Sequence, residues 1–475
     1  MSRFLFVVPP LVGHINPLVG VAAALTARGH QVAWAGVPGI VHRLAGPGAR
    51  VHPSPATWSE GDWPTRPPDI RGPEALRFLW ERFLVPLADA MAEGVRDAVG
   101  AFRPDVVVAD QQSLAGGLVA ERLGVRWATS ATTSAEFADV LATMPKVAAW
   151  NEALVRELRQ RVGDPGSICD PRFSPHLALA FTTEELAGTP ARGGDRIRWV
   201  GPSLSDRPSP AGFPWDWLDP GRATVLVTLG TANTDAGARF LTESARALRA
   251  RADRLQGVVV DPEGVLASDG TGDHRAVGGD GDVHGDTGHM DKDLLAVPEV
   301  PQLALLEKVD AVVCHAGHNT VCEALWHGVP LVVAPIRDDQ PVIAAQVAEA
   351  GAGVRIRFGR ADASRIGAAL DTVLCTPHHR AAARSIGGVF RAAGGAAAAA
   401  DHLERLARAD GPARRDQAGH PEQPDRTGRA DRMNRADPSV PRADRSVRPA
   451  HVDRSERQAA RAHRPELPAR EENDV

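Results

Sequence analysis

His14 lies in "PPLVGHINPL", residues 9–18, between an apolar strand-like run and the start of a helical pattern. Phe4 to Val8 reads as a buried strand. Asn16 suits a helix N-cap and Pro17 a first turn, where no N–H is required. Leu18, Val21 and Leu25 then recur at helical spacing. His14 is therefore expected in a strand-to-helix loop, at the carboxyl end of a first strand, where open α/β sheets bind ligands. Asp110 follows another apolar run, Asp105–Ala109, and ends at the same kind of edge. A buried carboxylate beside His14 would fix the ring's tautomer and favour imidazolium, the arrangement of a general base oriented by an acid. Sequence alone does not bring the two together, and a lone histidine equally reads as an ordinary packed residue.

The densest chemistry is in "HAGHNTVCEALWHGVPLVVAPIRDDQP", residues 315–341. A strand ending at His315 leads through Ala-Gly into a helix expected near Asn319 or Thr320. Unpaired N–H groups and a positive dipole at that end suit a phosphate. Gly317 would allow close approach of the backbone, Thr320 offers a hydroxyl, and His315 can donate to a phosphate oxygen. Glu323, one turn on, can accept from ribose hydroxyls. Thr320-x-x-Glu323 also reads as a capping box that needs no ligand. Asp339 and Gln340 follow the apolar run Leu331–Ala334, with Pro341 opening a helix. A carboxylate beside an amide suits vicinal sugar hydroxyls, which both donate and accept; Asp338 or Asp339 equally reads as a plain helix cap. "TLGT", 228–231, is a further, weaker phosphate candidate.

The elements that must hold these residues alternate along the chain. Short apolar runs alternate with longer helical stretches, Glu74–Ala101 and Leu114–Leu123 among them, which predicts βαβ units and parallel sheets. Strands are expected at Phe4–Val8, Gln31–Ala35, Asp105–Ala109 and Arg126–Thr129, and again from Ala223, at 256–260, 309–315, 329–335 and 353–358. Between the two sets, Pro-rich residues 201–220 read as a linker. The fold class is thus α/β, with two doubly wound Rossmann-like domains: 1–208, a linker at 209–222, and 223–393. Residues 268–292, rich in Gly, Asp and His, are expected to be a mobile loop. His274, His284 and His289 there match no recognised metal spacing. Residues 410–475 carry Arg, Asp, Pro and Gly with almost no aliphatics and are expected to be disordered.

With 475 residues, 43% of them hydrophobic, the chain can bury large cores; a net charge of −5 gives no reason to expect nucleic-acid binding. The four scattered cysteines suggest reduced thiols and a cytoplasmic protein. The N-terminal apolar run is too short for a signal peptide, and no stretch reaches the roughly 18 apolar residues of a membrane helix.

"GHINP", "VADQ", "TLGT", "VPQLALL" and "HAGHNT…E…GVP…P…DDQ" occur in the order found in nucleotide-sugar-dependent glycosyltransferases of the GT-B class. Over residues 1 to about 408 the chain resembles the bacterial enzymes that decorate macrolide and enediyne natural products. The resemblance implies two domains facing across a cleft, with a final helix, 394–408, crossing back to the first. It implies that His14 deprotonates the acceptor hydroxyl and that Asp110 orients it. Thr231, His315, Gly317, Asn319 and Thr320 would meet the diphosphate, Glu323 the ribose, Val300 and Gln302 the base, and Asp339 and Gln340 the donor sugar. The partners implied are a UDP- or TDP-sugar and a largely apolar small-molecule acceptor. Attack from the face opposite the leaving group would invert the anomeric centre, with no metal and no cofactor. The acceptor cleft would draw on 131–150, including Phe137, Leu141, Met144 and Trp150. Three departures stand out: Pro298, Glu299 and Val300 where an aromatic often stacks on the base, Ile343 for a common asparagine, and 268–292 for a short strand-forming connection. A nucleotide-sugar epimerase and a non-catalytic sugar-nucleotide-binding protein are the rival expectations. The first would need no acceptor, and the presence of both His14 and Asp110 argues against the second.

Overall fold

The computed structural model describes residues 1–55, 64, 67, 70, 72–205, 212–230, 237–266 and 289–409, without the side chain of His289. Strands β1 (Arg3–Val7), β2 (Gln31–Gly36), β3 (Val51–Pro53), β4 (Val106–Asp110), β5 (Trp127–Ala131), β6 (Ala178–Ala180) and β7 (Ile197–Trp199) form one sheet. Its order is β3-β2-β1-β4-β5-β6-β7, with every pair parallel. The second sheet holds β8 (Ala223–Thr228), β9 (Leu255–Val260), β10 (His289–Met290), β11 (Leu294–Val297), β12 (Ala311–Cys314), β13 (Leu331–Val333) and β14 (Gly353–Arg355). Its order is β10-β11-β9-β8-β12-β13-β14, parallel apart from β10.

Continuous apolar strands are what a sheet covered on both faces requires. In β1, Leu5 and Val7 enter one core while Phe4 and Phe6 enter the core on the other face. In the second sheet, Val225 and Val227 face away from Leu226 in the same way. Each buried side chain of this size contributes about 1.5–3 kcal/mol. The chain reverses strand order between β1 and β4, and again between β8 and β12. These switch points put loops from adjacent strands side by side at the carboxyl edge.

The C-terminal helix, Gly395–Arg408, returns to the first sheet. Ala399, Ala400 and Leu403 are buried with Phe4, Phe6 and Leu18. Arg28 Nη1 donates to Asp401 Oδ1 at 2.6 Å, His30 Nε2 lies 3.0 Å from Glu404 Oε1, and Arg126 donates to the Leu406 carbonyl at 2.9 Å.

Several local expectations are corrected. The first helix is Val12–Ala27 with N-cap Leu11, so His14 lies in its first turn and Asn16 and Pro17 lie inside it. His14 and Ile15 N–H both donate to the Leu11 carbonyl, and Ile15 extends the buried Leu18–Val21–Leu25 stripe backwards. The single helix expected over Glu74–Ala101 is Gly72–Phe78, a π-helical stretch Leu79–Leu84, then Val85–Phe102. Pro86, near the junction, has no N–H for an ordinary i−4 bond, and wide turns accommodate such gaps. Residues 289–292 do not belong to a loose loop. Met290 pairs antiparallel with Leu295, and Asp291 Oδ1 accepts from the N–H groups of Asp293 and Leu294 at 2.8 Å. Residues 268–288, with His274 and His284, and the tail from 410 lie outside the described residues. In the expected linker, Phe213, Trp217 and Leu218 pack on the second core. No described helix is long and apolar enough to cross a membrane.

Candidate functional site

Parallel pairing of β1 with β4 and of β4 with β5 brings three sequence-distant residues to one edge. His14 Nδ1 lies 2.9 Å from Asp110 Oδ1. Thr132, just beyond β5, places its hydroxyl 2.7 Å from the same Nδ1 and donates to Asp110 Oδ2 at 2.9 Å. Gln112 N–H donates to Asp110 Oδ1 at 2.9 Å. Nδ1 thus carries the ring hydrogen between two oxygen acceptors, and Nε2 is left as the basic nitrogen. Burial of the ring opposes its charge. The Asp110 carboxylate outweighs that, with Asp339 and Glu136 adding, and the pKa is raised above the ordinary 6.5. Asp110 has no exposed side-chain surface, whereas His14 keeps 16% and lines a cavity. Thr132 was missed in the sequence. Its signal was its place after an apolar strand, the same cue that marked Asp110.

The donor-side candidates gather at the carboxyl ends of β8, β12 and β13. The helix expected at Asn319 or Thr320 is His318–Trp326, with N-cap Gly317. Thr320 is its third residue, so the capping-box reading fails. Glu323 instead accepts from Gln302 Nε2 at 2.5 Å, joining the expected ribose and base contacts. The His315 ring is wedged between two glycines. A Cβ on Gly317 would meet His315 Nε2 at 2.4 Å, and one on Gly230 would meet its Cε1 at 2.7 Å. Burial drives the His315 pKa down to about 4, against the Thr228 backbone and with Arg337 nearby, so at neutral pH it is a neutral N–H donor. His318 is likewise driven to about 4 by burial. Ala316 and Asp338 hold left-handed backbone, φ 67° and 56°, in the two loops that frame this region. Such conformations cost about 1 kcal/mol or more each and concentrate at functional loops. Thr231 lies outside the described residues.

Asp339 occupies the N-cap position of the Gln340–Glu349 helix, but its side chain makes no cap. Its Oδ2 accepts from Thr133 Oγ1 of the first domain at 2.6 Å. Burial raises its pKa, partly offset by that hydrogen bond. Gln340 Oε1 accepts from the N–H groups of Ile336 and Arg337 at 2.9 and 3.0 Å, so the side-chain oxygen clamps the loop and Nε2 is the group available to donate.

A cavity of about 2000 Å³ runs between the two sheets. His14 and the nine described donor-side candidates, Val300 included, all line it. On the first-domain side one stretch of its wall is apolar, with Phe78, Leu79, Phe83, Leu141 and Met144. Phe137 and Trp150 do not reach it. Phe137 turns inward onto Phe173 and Trp199, and Trp150 packs on the core beside the Val85–Phe102 helix. Sequence also missed the ion-pair network at this wall: Arg172 with Glu136 and Asp170, each at 2.8 Å, and Arg192 with Asp170 at 2.6 Å. Two cations and two anions balance there.

Among the described residues no three His, Cys, Asp or Glu side chains gather as a metal site. Residues 263–400 match the family described as erythromycin biosynthesis protein CIII-like, C-terminal domain. Over 444 residues the chain is 29% identical to 4'-demethylrebeccamycin synthase of Lentzea aerocolonigenes, covering 85% of this chain and 99% of that protein. It is 28% identical to demethyllactenocin mycarosyltransferase of Streptomyces fradiae, covering 86% and 87%. Among solved structures, the glycosyltransferase VinC in complex with DTDP aligns with a TM-score of 0.62 at 20% identity, covering 85% of this chain and 99% of that one.

Proposed function

We propose that this natural-product glycosyltransferase of GT-B fold moves a sugar from a uridine or thymidine diphosphate donor to a hydroxyl of a largely apolar small molecule, with inversion. The observation that carries the reading is the His14–Asp110–Thr132 triad, facing the Asp339–Gln340 loop across one cavity. The acceptor hydroxyl gives its proton to His14 Nε2 as its oxygen attacks the anomeric carbon. The new C–O bond forms as the bond to the diphosphate oxygen breaks on the opposite face. Asp110 stabilises the imidazolium that results. The departing diphosphate is met by the N-terminus of the His318–Trp326 helix, the Thr320 hydroxyl and the neutral His315 N–H, so charge is stabilised without a metal ion. Asp339 accepts from a sugar hydroxyl and Gln340 Nε2 donates to one. The apolar wall supports an apolar acceptor.

Panels of UDP- and TDP-sugars with natural-product aglycones, read by mass spectrometry with and without a chelator, test this. A glycosylated acceptor of inverted configuration, formed with undiminished rate under the chelator, is expected. Donor turnover without any acceptor product, or a strict divalent-ion requirement, would overturn it.

A further inference from the structure

In an α-helix the carbonyl of residue i accepts from the N–H of residue i+4. The Val12–Ala27 helix breaks this rule at Gly13, because position 17 is proline. Pro17 has no N–H to give, and its ring crowds the i−4 carbonyl. The carbonyl finds its donor in the other domain. Asn319 Nδ2, from the second residue of the His318–Trp326 helix, donates to Gly13 O at 2.8 Å. Gly13 is the residue immediately before His14. Among the described residues, other hydrogen bonds between the halves near this cleft join Thr133 to Asp339, Ser134 and the Ala187 carbonyl to Gln346, and Cys322 Sγ to the Phe181 carbonyl, none of them on the base-bearing helix.

We propose that Pro17 and Asn319 form one positioning device: Pro17 releases the Gly13 carbonyl, Asn319 captures it, and the bond sets the first turn carrying His14 against the donor-binding helix. This rests on His14 being the base. An amide has two N–H donors and an oxygen, and Asn319 also lines the cavity. One side chain therefore touches the base-bearing helix and the diphosphate region together. Neither residue takes the proton; both act through the placement of His14. Displacement of a reacting group by as little as 1 Å costs on the order of 10²-fold in rate, so loss of one such bond is expected to cost roughly tenfold.

The test is a double-mutant cycle on Pro17→Ala and Asn319→Ala, with His14→Ala assayed alongside. Pro17→Ala restores an N–H that draws the Gly13 carbonyl back into the helix. Turnover at saturating substrates should fall roughly tenfold, while affinity for UDP or TDP alone is kept and the melting temperature does not fall, because an interior proline is removed. The double variant should match Asn319→Ala in kcat, since the two losses describe one contact. Wild-type kcat in Pro17→Ala, or losses that multiply, would overturn the device. Should Pro17→Ala fold poorly, Pro17→Ser, which also restores the N–H, is read by the same criteria. If His14→Ala kept its rate, the base reading itself would fall; a dead His14→Ala beside an unaffected Pro17→Ala sinks this proposal alone.

Discussion

At the scale of single residues, the proposed base and its acid can be separated by pH. In the proposed mechanism the neutral His14 ring is the active form, and its pKa is held above 6.5. The acidic limb of kcat against pH is therefore expected above 6.5. Asp110→Asn removes the charge that raises it, so the limb should move to lower pH while the plateau falls; a limb that stayed in place would show that another group titrates. His14→Ala should lose roughly 10²–10⁴-fold in turnover with nucleotide affinity unchanged, measured by initial rates and calorimetry. Thr132 belongs with this pair because its hydroxyl meets both partners. Thr132→Val leaves a buried carboxylate short of a donor and should cost about 1–3 kcal/mol in stability or in turnover. Thr132→Ser should restore both. Equal rates in the valine and serine variants would remove the hydroxyl from the account.

At the scale of elements, the His318–Trp326 helix and the loop before it hold two histidines that are neutral when folded. Burial lowers both to about 4, whereas an unfolded histidine titrates near 6.5. The unfolded state therefore binds more protons between pH 6.5 and 4. The stability these rings contribute is complete above 6.5 and is lost as pH falls through that window. Melting temperatures measured from pH 7 to 4 should drop along this slope, and His318→Gln should flatten it. The same helix carries Glu323, held by Gln302 from the short Gln302–Leu306 helix. Gln302→Ala should raise the donor KM several-fold with kcat nearly kept, because in the proposed reading the contact orients a donor-binding group away from the reacting atoms. A fall in kcat alone would place Gln302 in the chemistry instead.

At the scale of the whole chain, the Gly395–Arg408 helix ties the far end to the first sheet. Leu403 is fully buried there, so Leu403→Ala should cost about 2–5 kcal/mol by denaturant unfolding. Removal of 410–475 should change neither melting temperature nor rate, since that stretch is Arg, Asp, Pro and Gly with almost no aliphatics. A truncated protein that no longer folds or turns over would reverse this view. Ending the chain before Gly395 should destabilise it strongly, because Ala399, Ala400 and Leu403 would leave Phe4 and Phe6 uncovered.

The sequence by itself determined the two α/β halves and nine of the fourteen described strands; β3, β6, β7, β10 and β11, all at sheet margins or short, were not read from it. Apolar runs such as Phe4–Val8 and Val106–Ala109 are local signals, and a strand buried on both faces leaves little choice of residue. It also determined which strand ends carry polar groups, hence His14, Asp110, His315 and Asp339. Tertiary structure decided everything that depends on who stands opposite whom. Asn16 as a cap and Thr320–Glu323 as a capping box were sound local readings. They failed because Leu11 and Gly317 start those helices, and because Gln302, 21 residues away, claims Glu323. Thr132 beside His14, 118 residues apart, and Asn319 on the Gly13 carbonyl, 306 apart, have no local trace at all. Spacing along a chain reports periodicity within one element; strand order and domain docking, fixed by burial over the whole molecule, choose the partners.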